Sequence, residues 1–212
     1  MSDTAPFGRG RLRRLFGLDR SAPPPPTTRK GEPLHPWTIP NAVGYLRLAA
    51  IPVFLVLAYS SEDGTSFGAA MVFWAISAGD YLDGFLARVT GQYSRMGALL
   101  DPLIDRLTIL AGAVVCWDFE LLPRWLLVIL ALREVAMLFL AQYGLRHGVD
   151  IEVNWPGRIS VFPIMGGIWL ALFAPGWVAT ALVVWGTAMA ILATVMYARA
   201  GLRATRAARP AS

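Results

Sequence analysis

Six long apolar stretches, each separated from the next by a short polar one, set the pattern of this chain: 38–59, 67–88, 96–117, 122–145, 158–174 and 177–198. Crossing about 30 Å of hydrocarbon takes about 20 helical residues, and five of the six stretches reach that length. A helix pairs its backbone N–H and C=O groups within its own segment, as a lipid surrounding demands. The pattern therefore predicts an all-α, polytopic integral membrane protein of about six transmembrane helices, with short loops joining antiparallel neighbours. The fifth stretch is the shortest and carries Pro163, Gly166 and Gly167, which suits a kink or a tilted, partly re-entrant segment.

The ends have a different character. Residues 1–35 are polar, basic and proline-rich, without the apolar core of a secretory signal. Phe7, Leu12, Leu15 and Phe16 alternate with Arg9, Arg11, Arg13 and Arg14, a pattern open to two readings: a short interfacial helix on anionic lipid, or a disordered basic tail. Pro23–Pro26 then make an extended spacer. The expected organisation is an arm at 1–35, a membrane domain at 36–200 and a basic tail at 201–212.

Charge orients this arrangement. The net charge of +5 could suggest nucleic acid, but the basic residues flank the apolar stretches, which points to membrane lipids and no nucleic-acid partner. With the N-terminus inside, the inner segments hold 15 of the 19 basic residues, whereas the outer loops hold Arg124 together with Glu62, Asp63, Asp118 and Glu120. The positive-inside rule then puts both termini in the cytoplasm of a cell inner membrane. The lone Cys116 permits no internal disulfide, and His35 and His147 stand apart from the acidic residues. No internal repeat, dinucleotide fingerprint or Walker loop is present.

The chemistry is concentrated between Asp80 and Asp105. Asp80 and Asp83 are three apart, and Asp101 and Asp105 four apart, so each pair shares one helix face. Carboxylates at membrane depth are expensive and mark function, and four together need a counter-charge. An all-oxygen donor set suits a hard divalent ion, Mg²⁺ or Mn²⁺, and four carboxylates could hold two, the arrangement that clamps phosphoryl displacement. Gly84 leaves the helix open to a ligand, Ala87 keeps the same face small one turn on, Gly97 clears space before Asp101, and Arg88 offers a fork for phosphate.

Asp80-x-x-Asp83-Gly84-x-x-Ala87-Arg88, eight residues, then Gly97-x-x-x-Asp101-x-x-x-Asp105 resembles the CDP-alcohol phosphotransferase signature at every fixed position. The resemblance extends over about 37–200. It implies that Asp80, Asp83, Asp101 and Asp105 bind two metal ions, and that Asp105 is also the general base. It further implies that Gly84, Arg88 and Ser94 contact the CDP moiety of CDP-diacylglycerol, and that the chain forms a homodimer. Asn41, in the TIPN entry to the first stretch, either meets the same nucleotide or caps its helix. The reaction implied is transfer of a phosphatidyl group to an alcohol with release of CMP, at an active site facing the cytoplasm.

The acceptor is a small phosphorylated alcohol or a phospholipid. TIPNAVGYLRLAAIPVFLVLA, YLDGFLAR and ALREV resemble the phosphatidylglycerophosphate synthase branch, which uses glycerol 3-phosphate; SRMGALLDPLIDRLTIL also resembles the CDP-alcohol type of cardiolipin synthase, which uses phosphatidylglycerol. The first is the expected reading. Arg133, Arg158 and Arg95 are the candidates to hold an acceptor phosphate. Two have a plainer alternative, Arg133 as a structural ion pair with Glu134 and Arg158 as one more inner-side basic residue. Arg47 and Arg106 could share the aspartate cavity with Arg133 or be buried in structural pairs. An ion transporter built on intramembrane aspartates would explain the carboxylates but not the fixed Gly84, Ala87, Arg88 and Gly97 beside them. A non-catalytic assembly protein has no use for the intact signature.

Overall fold

A computed structural model describes residues 36–90, 94–146 and 155–207. The arm at 1–35, with its candidate interfacial helix, lies outside the described residues, as do 91–93, 147–154 and 208–212. The described chain is all-helical: α1 Ile39–Tyr59, α2 Phe67–Thr90, α3 Arg95–Asp118, α4 Arg124–Arg146, α5 Trp155–Phe173 and α6 Trp177–Ala207. Among the described residues, α1 and the Trp177–Met196 part of α6 are long and apolar enough to cross a membrane, and Ile159–Phe173 of α5 is a shorter apolar helix.

The helix ends follow from local chemistry. Thr38 caps α1, its Oγ1 accepting from the Asn41 amide at 3.3 Å, and Pro40 sits in the first turn, where no intrahelical donor is needed. Between α1 and α2, Gly64 takes a left-handed φ of 75°. A Cβ there would fall 2.3 Å from the Phe119 ring, so both conformation and space call for glycine. α3 closes with the Leu121 amide bonded back to the Cys116 carbonyl at 3.0 Å and Glu120 to Trp117 at 3.4 Å. This is the Schellman arrangement, with Glu120 at φ 55° in the position glycine usually fills.

The chain divides into two compact units. Of the described residues, the first comprises 36–52 together with those of Trp74–Leu107, and its interior contains Asn41, Arg47, Ile51, Ile76, Asp83 and Ile104. The second comprises Val53–Phe73 and the described residues from Thr108 to Ala207. Its core is apolar, with Phe54 and Phe73 in contact at 5.4 Å between ring centroids and Val115, Leu130, Ile168, Leu172 and Val183 buried around them. Within this unit α5 and α6 pack backbone to backbone. A Cβ on Gly167 would lie 2.9 Å from the Ala179 carbonyl, and one on Gly186 3.0 Å from that of Ser160, the small-residue packing that replaces hydrophobic driving force in lipid. Pro163 is accommodated inside a continuous α5. Trp74, Trp125, Leu132, Phe139, Phe162, Trp177 and Trp185 are exposed, far more large apolar surface than a soluble monomer presents.

Candidate active site

The first unit brings three of the four signature aspartates onto one arginine. Asp80 and Asp83 project from the last three turns of α2, Asp105 from α3, and Arg47 reaches them from α1. The Arg47 guanidinium bonds Oδ2 of Asp83 and Oδ1 of Asp105, each at 2.8 Å, and stands 3.5 Å from Oδ1 of Asp80. Its Nε donates to the Ile76 carbonyl at 2.9 Å. The side chains of Arg47 and Asp83 are 3% and 6% exposed, whereas Asp105 and Asp80 are 28% and 43% exposed. The cluster therefore grades from a buried ion pair to an accessible rim. Asp101, one turn before Asp105, lies in the field of Asp83, Asp80 and Asp105, which brings all four acids into one electrostatic neighbourhood.

Gly79 makes the seat possible. A Cβ on it would fall 2.7 Å from Cδ and 2.9 Å from Cγ of Arg47, so the bare α2 backbone lets the arginine stem pass. Sequence reasoning missed this residue. The signal available was a glycine directly before the first aspartate, with one arginine nine residues into an otherwise apolar stretch.

A second polar joint binds the start of α3 to α1. Ser94 caps α3, its Oγ accepting from the Gly97 amide at 2.9 Å and donating to Oδ1 of buried Asn41 at 2.8 Å. Nδ2 of Asn41 donates to the Pro36 carbonyl at 3.1 Å. The cap of α1 is thus Thr38, and the two ends of the Asn41 amide dock the start of α3 and the segment that leads into α1. Gly97 makes room for this joint, since a Cβ there would meet Asn41 Oδ1 at 2.8 Å and Ser94 Oγ at 3.2 Å.

Gly84 and Ala87 follow Asp83 on the last turns of α2, both partly accessible. The side chains of Arg88, Arg95 and Arg158 lie outside the described part of the structure. Arg133, in the second unit, bonds its neighbour Glu134, and its Nε is buried with no hydrogen-bond partner among the described residues.

Carboxylate oxygens only, from two helices, form a donor set chemically suited to Mg²⁺ or Mn²⁺. Among the described residues no group of three acidic, histidine or cysteine side chains is spaced as a ready-made metal cage; the carboxylates are arranged about the Arg47 fork instead. The donors fit a hard cation in kind, and Arg47 is what such a cation would meet there.

Similarity to known proteins bears on what this cluster does. Residues 37–197 match the profile of the CDP-alcohol phosphatidyltransferase family. The "Cardiolipin synthase (CMP-forming)" of Streptomyces coelicolor is 40% identical over 171 residues, covering 78% of this chain and 80% of that protein. A Mycobacterium tuberculosis protein named "Probable phosphatidylglycerophosphate synthase" is 35% identical over 163 residues, 74% of this chain and 76% of its own length. The Escherichia coli CDP-diacylglycerol–glycerol-3-phosphate 3-phosphatidyltransferase is 30% identical over 184 residues, covering 82% and 96%. The match contains every position of the aspartate signature and both helices that carry it, so the chain belongs to the CDP-alcohol phosphatidyltransferase family and is a transferase of phospholipid biosynthesis.

Proposed function

We propose that the chain transfers a phosphatidyl group from CDP-diacylglycerol to a glycerol-bearing acceptor, releasing CMP. The observation that carries this reading is the meeting of Asp80, Asp83 and Asp105 around one point with Asp101 beside them, inside a segment matching the family. Asp80, Asp83, Asp101 and Asp105 would hold two Mg²⁺ or Mn²⁺ ions, which would supply positive charge to the pyrophosphate and its leaving group. The chain's own residues do the rest. Gly84 and Ala87 keep one face of α2 low enough for the CDP moiety, with Arg88 and Ser94 as further contacts. Asp105 takes the proton of the acceptor hydroxyl as its oxygen attacks the β-phosphorus and the bond to CMP breaks. Arg47 holds Oδ1 of Asp105, which leaves Oδ2 for that proton.

Two acceptors are in question, and both occur among the named relatives. We place phosphatidylglycerol first, because the relative at 40% identity is a CMP-forming cardiolipin synthase and Arg133, one of three cations expected to hold a phosphomonoester, is engaged by Glu134. Glycerol 3-phosphate, the acceptor expected from the sequence, is the second reading, supported by the relatives at 35% and 30%. The test supplies labelled CDP-diacylglycerol to the purified protein with each acceptor separately, with inositol phosphate as control and with and without EDTA. Cardiolipin formed only from phosphatidylglycerol supports the first reading. Phosphatidylglycerophosphate as the sole product overturns it for the second, and full activity in EDTA removes the metal role.

The remaining features of this reading are six membrane spans, both termini cytoplasmic, the aspartates at the inner face of the plasma membrane where nucleotide is released, and a homodimer. Arginine distribution and family resemblance support them.

A further inference from the structure

A guanidinium buried at the centre of a site proposed to bind cations asks for an explanation, and its surroundings are built rather than incidental. Arg47 is 3% exposed and reaches three carboxylates from a different helix. Its Nε is fixed by the Ile76 carbonyl at 2.9 Å, and its stem lies where any side chain at position 79 would stand. A planar fork bonding two carboxylates at 2.8 Å fixes their separation as well as their charge. Without it, Asp80, Asp83 and Asp105 would repel one another at a site where Asp83 is buried and the other two are only partly hydrated.

We propose that Arg47 is an internal counter-cation of the aspartate cluster: a positioning residue that gathers Asp80, Asp83 and Asp105 and is negatively coupled to the divalent ions the same carboxylates would hold. This rests on the metal reading above. The coupling follows from charge. Arg47 uses Oδ2 of Asp83 and Oδ1 of Asp105, so an arriving divalent ion finds those oxygens engaged and a positive charge beside them. Coupling between two binding events is reciprocal. If Arg47 weakens metal binding, metal weakens the hold of Arg47 on the acids. The arginine thus keeps the carboxylates gathered while limiting how tightly a divalent ion would be held.

A role limited to scaffolding and a counter-cation role differ in sign. If Arg47 only shaped the site, its loss would weaken metal binding. If it is a counter-cation, its loss leaves an uncompensated acid cluster that binds metal more tightly. The full chain in detergent is measured for Mn²⁺ affinity by electron paramagnetic resonance and for thermal unfolding in EDTA and in Mn²⁺. Arg47→Met should bind Mn²⁺ on the order of tenfold more tightly or better. In EDTA it should unfold about 5 °C lower or more, as expected for breaking a buried pair, and Mn²⁺ should recover more of that loss than it adds to wild type. Arg47→Lys keeps the charge without the fork, so its Mn²⁺ affinity should stay near wild type while its unfolding temperature in EDTA falls between the two. Gly79→Ala keeps Arg47 but crowds its stem, and should shift Mn²⁺ affinity in the same direction as Arg47→Met by a smaller factor. Should Arg47→Met fail to fold, the lysine and alanine variants decide the matter. Mn²⁺ bound by wild type but equally or more weakly by Arg47→Met and Gly79→Ala overturns the proposal and leaves the metal reading standing. Wild type that binds no Mn²⁺ overturns the metal reading, and the coupling with it.

Discussion

Replacing Gly97 by alanine adds one methyl group at the joint between α1 and α3. That methyl would stand 2.8 Å from Asn41 Oδ1 and 3.2 Å from Ser94 Oγ, well inside normal van der Waals contact. Neither neighbour can swing away freely, because Asn41 is tied to the Pro36 carbonyl and Ser94 caps α3 through the Gly97 amide itself. Losing the Asn41–Ser94 bond costs about 1 kcal/mol, and disturbing the serine cap costs about 1 kcal/mol more. Alanine regains up to about 1 kcal/mol over glycine inside a helix, so the net loss is about 1–2 kcal/mol. For a chain of this size that lowers the unfolding temperature by about 2–8 °C. The assay is thermal unfolding of the full chain in detergent, with two comparisons. Gly166→Ala has nothing within 4 Å of the added Cβ and should be neutral or stabilising. In an Asn41→Ala background, where the clashing oxygen is gone, Gly97→Ala should cost little. Equal losses in both backgrounds, or no loss in wild type, would refute the steric account.

Three further outcomes are expected. Asp105→Asn should abolish turnover while leaving much of the CDP-lipid binding, since three carboxylates remain; near-wild-type kcat would assign the base elsewhere, and loss of binding would make Asp105 chiefly a ligand. A cysteine at Ser61 should react with a membrane-impermeant maleimide from the outside of intact cells and one at Gln92 should not, and the reverse labelling would invert the proposed orientation. Glu120→Gly should stabilise the chain by up to about 1 kcal/mol by relieving the left-handed φ of 55°. The exposed Glu120–Arg124 pair that it removes contributes little, so a lower unfolding temperature would mean that the pair outweighs the strain.

Helix positions were legible because apolar runs end at polar, glycine and proline signals. The stretch 38–59 became Ile39–Tyr59, and 67–88 became Phe67–Thr90. The two larger differences have local causes. α5 starts at Trp155 rather than at 158 because Pro156 falls in its first turn, where its missing donor costs nothing. α6 continues to Ala207, beyond the end of its apolar run, because the alanines, arginines and leucine that follow favour helix without needing a buried face. The aspartates could be found by spacing alone, since i, i+3 and i, i+4 positions of one helix must share a face. Gly79 and the Asn41–Ser94–Gly97 joint could not. Their roles depend on which residue of another helix lies opposite, and one-dimensional spacing does not encode that. The same limit left Arg47 and Arg133 open to the same two readings, although one gathers three aspartates and the other bonds its neighbour.

Arg47 also bears on how the chain is made. Under the proposed six-span arrangement, synthesis delivers α1 to the bilayer before α2 and α3 exist, so the arginine enters without its carboxylates. An arginine at the centre of an inserting helix costs about 2.5–3.5 kcal/mol, against about 0.3–0.6 kcal/mol gained per leucine, isoleucine, valine or phenylalanine. Leu46, Leu48, Ile51, Val53, Phe54, Leu55, Val56 and Leu57 lie close to Arg47 along α1, so the two sides nearly cancel. α1 is thus poised between entering and staying out until α2 brings Asp80 and Asp83. In the six-span arrangement proposed above, insertion of the first two helices as a pair, with the ion pair forming between them, would turn a marginal first step into a committed one. Replacing both aspartates by asparagine should therefore show in the amount of chain that reaches the membrane before it shows in any catalytic measurement.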